Sequence, residues 1–350
     1  MIVCPARLEP VFSPRPWGAR SLAPFFPEKT GLAEPLGEAW MTGSECRFAN
    51  GPFAGQALGS AWAEMPPEWA GTRANTADAF PLLVKFIFPE EKLSVQVHPD
   101  DTYAARHEQA AGGKGKTEMW YALRARAEAE VLVGLKPEVT RESFAHAIAD
   151  GTAEECLVHV PVSQGDAIFV PAGTAHTIGP GLVLCEIQEQ SDLTYRVYDY
   201  NRRDANGRPR ELHIDKALEV MHFGPQVGGK IDPVRIHEEG AEKTYFASCP
   251  YFETSRWEFS GPVLMGSSTE VFDLLIFLEG SGAIRRQGEQ VKFGPAQVWM
   301  IPAGLGAYQI APEASTTLLR TSVPREAGEF GPGLTQSGVP EAEWSRLVHK

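Results

Sequence analysis

Leu93-Ser94-Val95-Gln96-Val97-His98-Pro99-Asp100-Asp101 alternates apolar and polar side chains. A strand has period two, so Leu93, Val95 and Val97 share one face while Ser94, Gln96 and His98 share the other. Gln96 and His98 then stand about 7 Å apart along the strand, close enough to share one ion. Pro99 ends the ladder, because proline has no N–H to donate. By itself, such alternation more often marks a half-buried strand whose polar face meets water. What this polar face does depends on the segments it meets.

The chain of 350 residues is long enough for two domains and a sizeable core. Hydrophobic residues at 43% and charged residues at 22% fit a globular protein that is neither disordered nor membrane-embedded. With 32 basic and 45 acidic side chains, the net charge of −13 argues against nucleic acid as a partner. A small anion needs only a local cluster of Lys and Arg. The five cysteines, at 4, 46, 156, 185 and 249, form no CxxC pair, which points to a reduced, cytoplasmic protein. No signal peptide is expected at the start, and no apolar run is long enough for a membrane span.

Residues 1–80 read as irregular and rich in turn formers, with a strand at Gly37–Gly43 and a short helix opening near Met65. Phe80 to Pro89 is a strongly apolar strand that contains Lys85. Lys85 is either a snorkelling side chain at a strand edge or a cation held inside for an anionic ligand. Tyr103 to Gln109 reads as a short helix. Lys116 to Leu123 is a strand by its aromatics, with Lys116, Glu118 and Trp120 on one face. Glu130–Leu135 is another strand. Thr140 can cap a helix that puts Phe144 and Ile148 on one face. Leu182–Gln190 presents Glu186 and Gln188 on its polar face. Arg196 follows in a further strand, and Ile214, Ala217, Leu218 and Met221 mark one helical face.

Pro225 to Pro233 is the best linker, so residues 1–225 and 226–350 are the expected domains. Short strands follow at fairly regular spacing (Tyr251–Phe259, Phe272–Leu278, Gly282–Arg286, Gln297–Ile301 and Ser315–Arg320), the pattern of a small β-sandwich or barrel. Val170-Pro171-Ala172-Gly173-Thr174-Ala175-His176 matches Ile301-Pro302-Ala303-Gly304-Leu305-Gly306-Ala307. The Pro-Ala-Gly turn is kept, and Ala307 stands where His176 stood. The second half thus reads as a copy of the first that cannot hold a metal at this position.

Gln96, His98, Glu118 and His176 each lie on or beside an otherwise apolar strand. Two imidazoles and a carboxylate are a common divalent-metal set, and an amide oxygen can serve as a fourth ligand. Taken singly, each is more often a hydrogen-bonded or solvated residue; taken together they favour a metal site.

Gly165 followed by Pro171, Gly173 and His176 resembles the second motif of the cupin superfamily. Gln96-Val97-His98-Pro99-Asp100-Asp101, Lys116-Thr117-Glu118-Met119-Trp120 and Tyr195-Arg196-Val197-Tyr198-Asp199 resemble the mannose-6-phosphate isomerases in their shorter bacterial form. Gly134-Leu135-Lys136-Pro137-Glu138-Val139-Thr140 and Glu211-Leu212-His213-Ile214-Asp215-Lys216-Ala217-Leu218 resemble that family too. The likeness runs from about Trp17 to Met221; beyond it, the C-terminal half matches only as a degenerate second cupin. It implies a mainly β fold of two jelly-roll barrels with a few short helices. It also implies one zinc ion per chain, held by Gln96, His98, Glu118 and His176, and an active-site arginine at Arg196. Many cupins place an asparagine four residues after the motif histidine, where this chain has Pro180.

The implied reaction interconverts mannose 6-phosphate and fructose 6-phosphate by moving a proton between C1 and C2 through an enediol. A divalent ion can polarise the carbonyl and hold both oxygens. Arg196 can stabilise the developing oxyanion; its structural alternative is a salt bridge to Asp199 or Glu186. Lys116, on the face of Glu118, is placed to reach substrate. Lys85 and Ser94 are candidate phosphate contacts, and Glu186 is a further candidate substrate contact. The general base stays open among Glu186, Lys116 and a water on the ion. Two other readings use the same barrel: a metal-dependent oxygenase, because two His and a Glu also suit ferrous iron, and a non-catalytic sugar-binding cupin. A monomer is expected.

Overall fold

The computed structural model describes residues 1–203, 207–225 and 227–350. The chain is mainly β, as expected, with short helices. Among the described residues its strands form four sheets, of eight, seven, five and four strands. Among the described residues none of these closes on itself, so the expected barrels are, in their hydrogen bonding, pairs of open sheets packed face to face.

Alternation along each strand assigns the layers. Trp120, Ala122, Ile168 and Leu184 of the seven-stranded sheet pack against Val131, Val133 and Ile178 of the five-stranded sheet. Met119, Tyr121, Phe169 and Ile187, on the opposite face of the seven-stranded sheet, pack against Leu274, Ile276, Val298 and Met300 of the eight-stranded sheet. The other face of the eight-stranded sheet, with Trp257, Leu275, Phe277 and Trp299, meets Val263, Ile284, Tyr308 and Ile310 of the four-stranded sheet. Phe144 and Ile148 of the helix Arg141–Asp150, and Ala217 of the helix Ile214–Val220, cover the outside of the five-stranded sheet. Thr140 caps the first of these helices, as its position before the apolar stripe predicts.

Residues 1–80 hold the expected strand, at Leu36–Trp40, and the short helix Pro67–Ala70, but depart from expectation elsewhere. Val11–Ala19 is a strand despite Pro14 and Pro16, because it lies at the edge of the seven-stranded sheet, where missing N–H groups go unneeded. Ala6–Glu9 pairs with Gln297–Ile301 and so belongs to the eight-stranded sheet, with the C-terminal strands. The linker reading falls partly on Gln226, outside the described residues; beyond it, Gly229–Lys230 adds a short strand beside Ala167–Val170. Among the described residues no helix is long and apolar enough to cross a membrane.

Candidate metal centre

The opening stretch forms the strand Val95–Val97, second in the five-stranded sheet, with His98 just past its end. His176 begins the neighbouring strand His176–Ile178 and pairs with Gln96. Glu118 comes from the facing sheet, as first residue of the strand Glu118–Ala125. Two sheets thus deliver His98, Glu118 and His176, all buried, with ligating atoms within 4.8 Å of one another.

The two imidazoles are oriented by backbone carbonyls. His98 Nδ1–H donates to Leu193 O and His176 Nδ1–H to Thr174 O, each at 2.8 Å. That leaves both Nε2 atoms as acceptors. Burial, more than any neighbouring charge, holds the imidazoles neutral, His176 down to about 4 and His98 well below its ordinary value. Glu118 Oε1 lies 3.4 Å from His176 Nε2 and 3.8 Å from His98 Nε2. It is buried and accepts no hydrogen bond. These three acceptors converge, reached by Lys116 Nζ at His98 and by the Gln96 amide at His176, and such a set suits a cation. The Gln96 amide nitrogen is 3.2 Å from His176 Nε2; turning the carboxamide over puts its oxygen there instead.

A chain of charges leads away from this point. Lys116 Nζ is 2.7 Å from Glu118 Oε2, 3.4 Å from His98 Nε2 and 3.7 Å from Glu186 Oε1. Glu186 Oε1 is 3.6 Å from Lys85 Nζ, which is 2.8 Å from Asp192 Oδ1. Trp120 Nε1–H donates to Glu186 Oε2 at 3.2 Å. Burial pushes the Lys116 and Lys85 ammoniums down, but the carboxylates around them outweigh it and both end up raised. Burial wins at Glu186, which is raised despite Lys116 and Lys85.

Lys85 is therefore an internal cation and not a snorkelling edge residue: its strand Leu82–Ile87 lies inside the sheet, and the side chain is 2% exposed. Arg196 likewise departs from the salt-bridge alternative. Its Nε–H donates to Ser94 Oγ at 3.2 Å and its Nη1 to Glu211 O at 3.1 Å. Asp199 is occupied by Arg202 and Arg210. Among the described residues no carboxylate lies within ion-pair distance of Arg196. Ser94 Oγ is also 3.4 Å from Gln96 Oε1, which links Arg196 to the metal cluster.

Sequence reasoning missed Asp192, Arg202 and Arg210, and the carbonyls of Leu193 and Thr174. Asp192 leaves one signal, a carboxylate just past the end of the strand that pairs with the one carrying Lys85. The carbonyls leave none, since every residue has one.

Two family models match the chain: the catalytic domain of type I phosphomannose isomerase over residues 6–133, and the cupin domain of mannose-6-phosphate isomerase over residues 241–320. The mannose-6-phosphate isomerase ManA of Bacillus subtilis is 36% identical over 87% of this chain and 95% of its own length. A Streptococcus mutans mannose-6-phosphate isomerase is 34% identical over 79% and 86%. The crystal structure of a Bacillus subtilis mannose 6-phosphate isomerase superposes with a TM-score of 0.83 at 32% identity, over 91% of this chain and 99% of that one. The chain belongs to the mannose-6-phosphate isomerase family.

Proposed function

We propose that the chain is a zinc-dependent aldose–ketose isomerase that interconverts mannose 6-phosphate and fructose 6-phosphate. The observation that carries this reading is the meeting of His98, Glu118 and His176, with both imidazoles fixed at Nδ1 and Glu118 Oε1 left without a donor. Gln96 completes the proposed ligand set, one zinc per chain. Bound there, the ion supplies Lewis acidity toward the carbonyl and hydroxyl of an open-chain sugar, with no redox change asked of it.

The remaining roles fall to side chains. Arg196, a guanidinium without a carboxylate partner among the described residues, stabilises negative charge on the sugar oxygens. Lys116 and Glu186, 3.7 Å apart and both buried, move the proton between C1 and C2. Ser94 and Lys85 take the phosphate end; Lys85 is held in place by Asp192. The same proposal has residues 1–225 as the metal-binding cupin domain, 226–350 as a degenerate one, and each as a jelly roll. A monomer in the cytoplasm completes it, a location that five unpaired cysteines fit.

A coupled assay on mannose 6-phosphate, with and without a chelator, tests the reading. Turnover that stops on metal removal and returns with zinc supports it. Turnover indifferent to chelator, or consumption of dioxygen in its place, contradicts it.

A further inference from the structure

The strand Leu182–Glu189 sends Glu186 and Gln188 toward the metal centre. Glu189 is next along, so its side chain leaves the opposite face of the sheet. There it borders a cavity of about 260 Å³ to which both halves contribute. This space lies across the sheet from the metal centre and is far larger than one water requires.

One wall is apolar: Trp62 and Phe272, with ring centroids 5.6 Å apart, and Val323. The polar groups beside it include the acceptors Glu189, Gln190 and Asp101, and the Tyr251 hydroxyl, which is hydrogen-bonded to Asp101. Glu189 is 5% exposed, and its Oε1 accepts from Thr117 N at 2.7 Å. Among the described residues no cation lies within ion-pair distance of it. Gln190 Oε1 is buried without a donor, and Asp101 also lines the space. Of the two basic residues that line it, Arg73 is taken by Glu270 and by Val323 O, and Lys114 is exposed. A buried acceptor without a donor is costly, so an occupant that donates hydrogen bonds is favoured. An anion would meet Glu189 and Asp101.

We infer that this cavity binds a small organic ammonium ion, its apolar body against Trp62 and Phe272 and its N–H groups on the Glu189 carboxylate and Gln190 Oε1. The aromatic wall adds attraction for a cation. Burial first, and Asp101 second, push the Glu189 carboxyl up to about 8, against the hydrogen bonds from Thr117 and the charge of Lys114. Isomerase activity plays no part in this inference, and its test reads binding alone.

Calorimetric titration of the purified, metal-loaded protein at about pH 8 compares three probes of one shape: benzylamine, benzyl alcohol and phenylacetate. The amine is expected to saturate with a Kd below about 10 mM, and the alcohol and the acid to bind at least about tenfold more weakly. Glu189→Gln should weaken the amine about tenfold. Gln190→Leu, which keeps the carboxyl, should weaken it too, and serves if the first variant folds poorly. A crystal soaked in benzylamine should show the amine between Trp62 and Glu189. Equal binding of all three probes, no saturable binding of the amine, unchanged affinity in the folded variants, or a cavity holding water alone would overturn the inference.

Discussion

Glu118 and Asp273 hold the same register position in the two halves. Glu118 stands opposite Val170, and Asp273 opposite Ile301, the residues that lead into the two Pro-Ala-Gly turns. The correspondence extends along the strands. Glu186 pairs with Trp120, two residues after Glu118, and Arg320 pairs with Leu275, two residues after Asp273. Where the first half sets Glu118 among imidazoles, the second closes Asp273 with a guanidinium. Arg320 Nε and Nη2 lie 3.0 and 2.9 Å from the two oxygens of Asp273, which is 2% exposed. A half-buried guanidinium thus neutralises the carboxylate at this position.

Removing that cation should leave Asp273 buried and uncompensated. Arg320→Leu is expected to destabilise the fold by about 3 kcal/mol, the low end for a broken buried pair because Arg320 is partly exposed. Adding Asp273→Asn should recover part of the loss. Urea denaturation of both variants checks this, and metal content should be unchanged in each.

His176→Ala removes a buried imidazole whose Nδ1 bond to Thr174 O turns Nε2 toward Glu118. Metal and activity should both be lost, against one zinc per chain in the unaltered protein. Stoichiometric metal analysis decides the matter.

Arg196→Ala should behave differently. Arg196 touches Ser94 and Glu211 O and not the three ligands, so metal and fold should persist. Turnover is expected to fall about 10²-fold or more, the usual cost of losing an oxyanion donor. Steady-state kinetics on the metal-loaded variant are the check; near-normal turnover would remove Arg196 from the mechanism.

Glu253 supplies a pH dependence away from the metal. Its Oε2 accepts from Ser248 Oγ at 2.9 Å and from Phe330 N at 3.0 Å, which fastens the C-terminal helical segment. Burial raises its carboxyl from the ordinary 4.5 to about 7. The folded state therefore holds a proton that the unfolded chain gives up. This contribution to stability is complete below about pH 4.5 and is lost as pH rises through about 7. Glu253→Gln should flatten that part of the stability–pH curve, measured by denaturation across the window.

The sequence revealed what periodicity and residue type encode. Leu93–Asp101 announced its strand, and the Pro-Ala-Gly turns announced a repeat whose register the structure bears out at Val170 and Ile301. The three buried residues of the cluster, His98, Glu118 and His176, were legible because each is a polar residue on or beside an apolar strand. Val11–Ala19 was not, because its prolines oppose a strand everywhere but at an edge. Glu289–Phe293 was hidden as well: four of its five residues escape burial, and only Val291 and Phe293 supply an apolar alternation. Ala6–Glu9 pairs with a strand nearly the whole chain away, a choice that no local pattern records. The ion pair of Lys85 with Asp192 is of the same kind, joining residues 107 positions apart.

Zinc-edge anomalous diffraction from crystals of the active protein addresses the convergence of the ligands most directly. A single strong peak is expected at about 2.0–2.2 Å from His98 Nε2, His176 Nε2 and a Glu118 oxygen, and none near Asp273. A fully active crystal with no peak among those three side chains would contradict the proposed centre, and with it the chemistry assigned to Arg196 and Lys116.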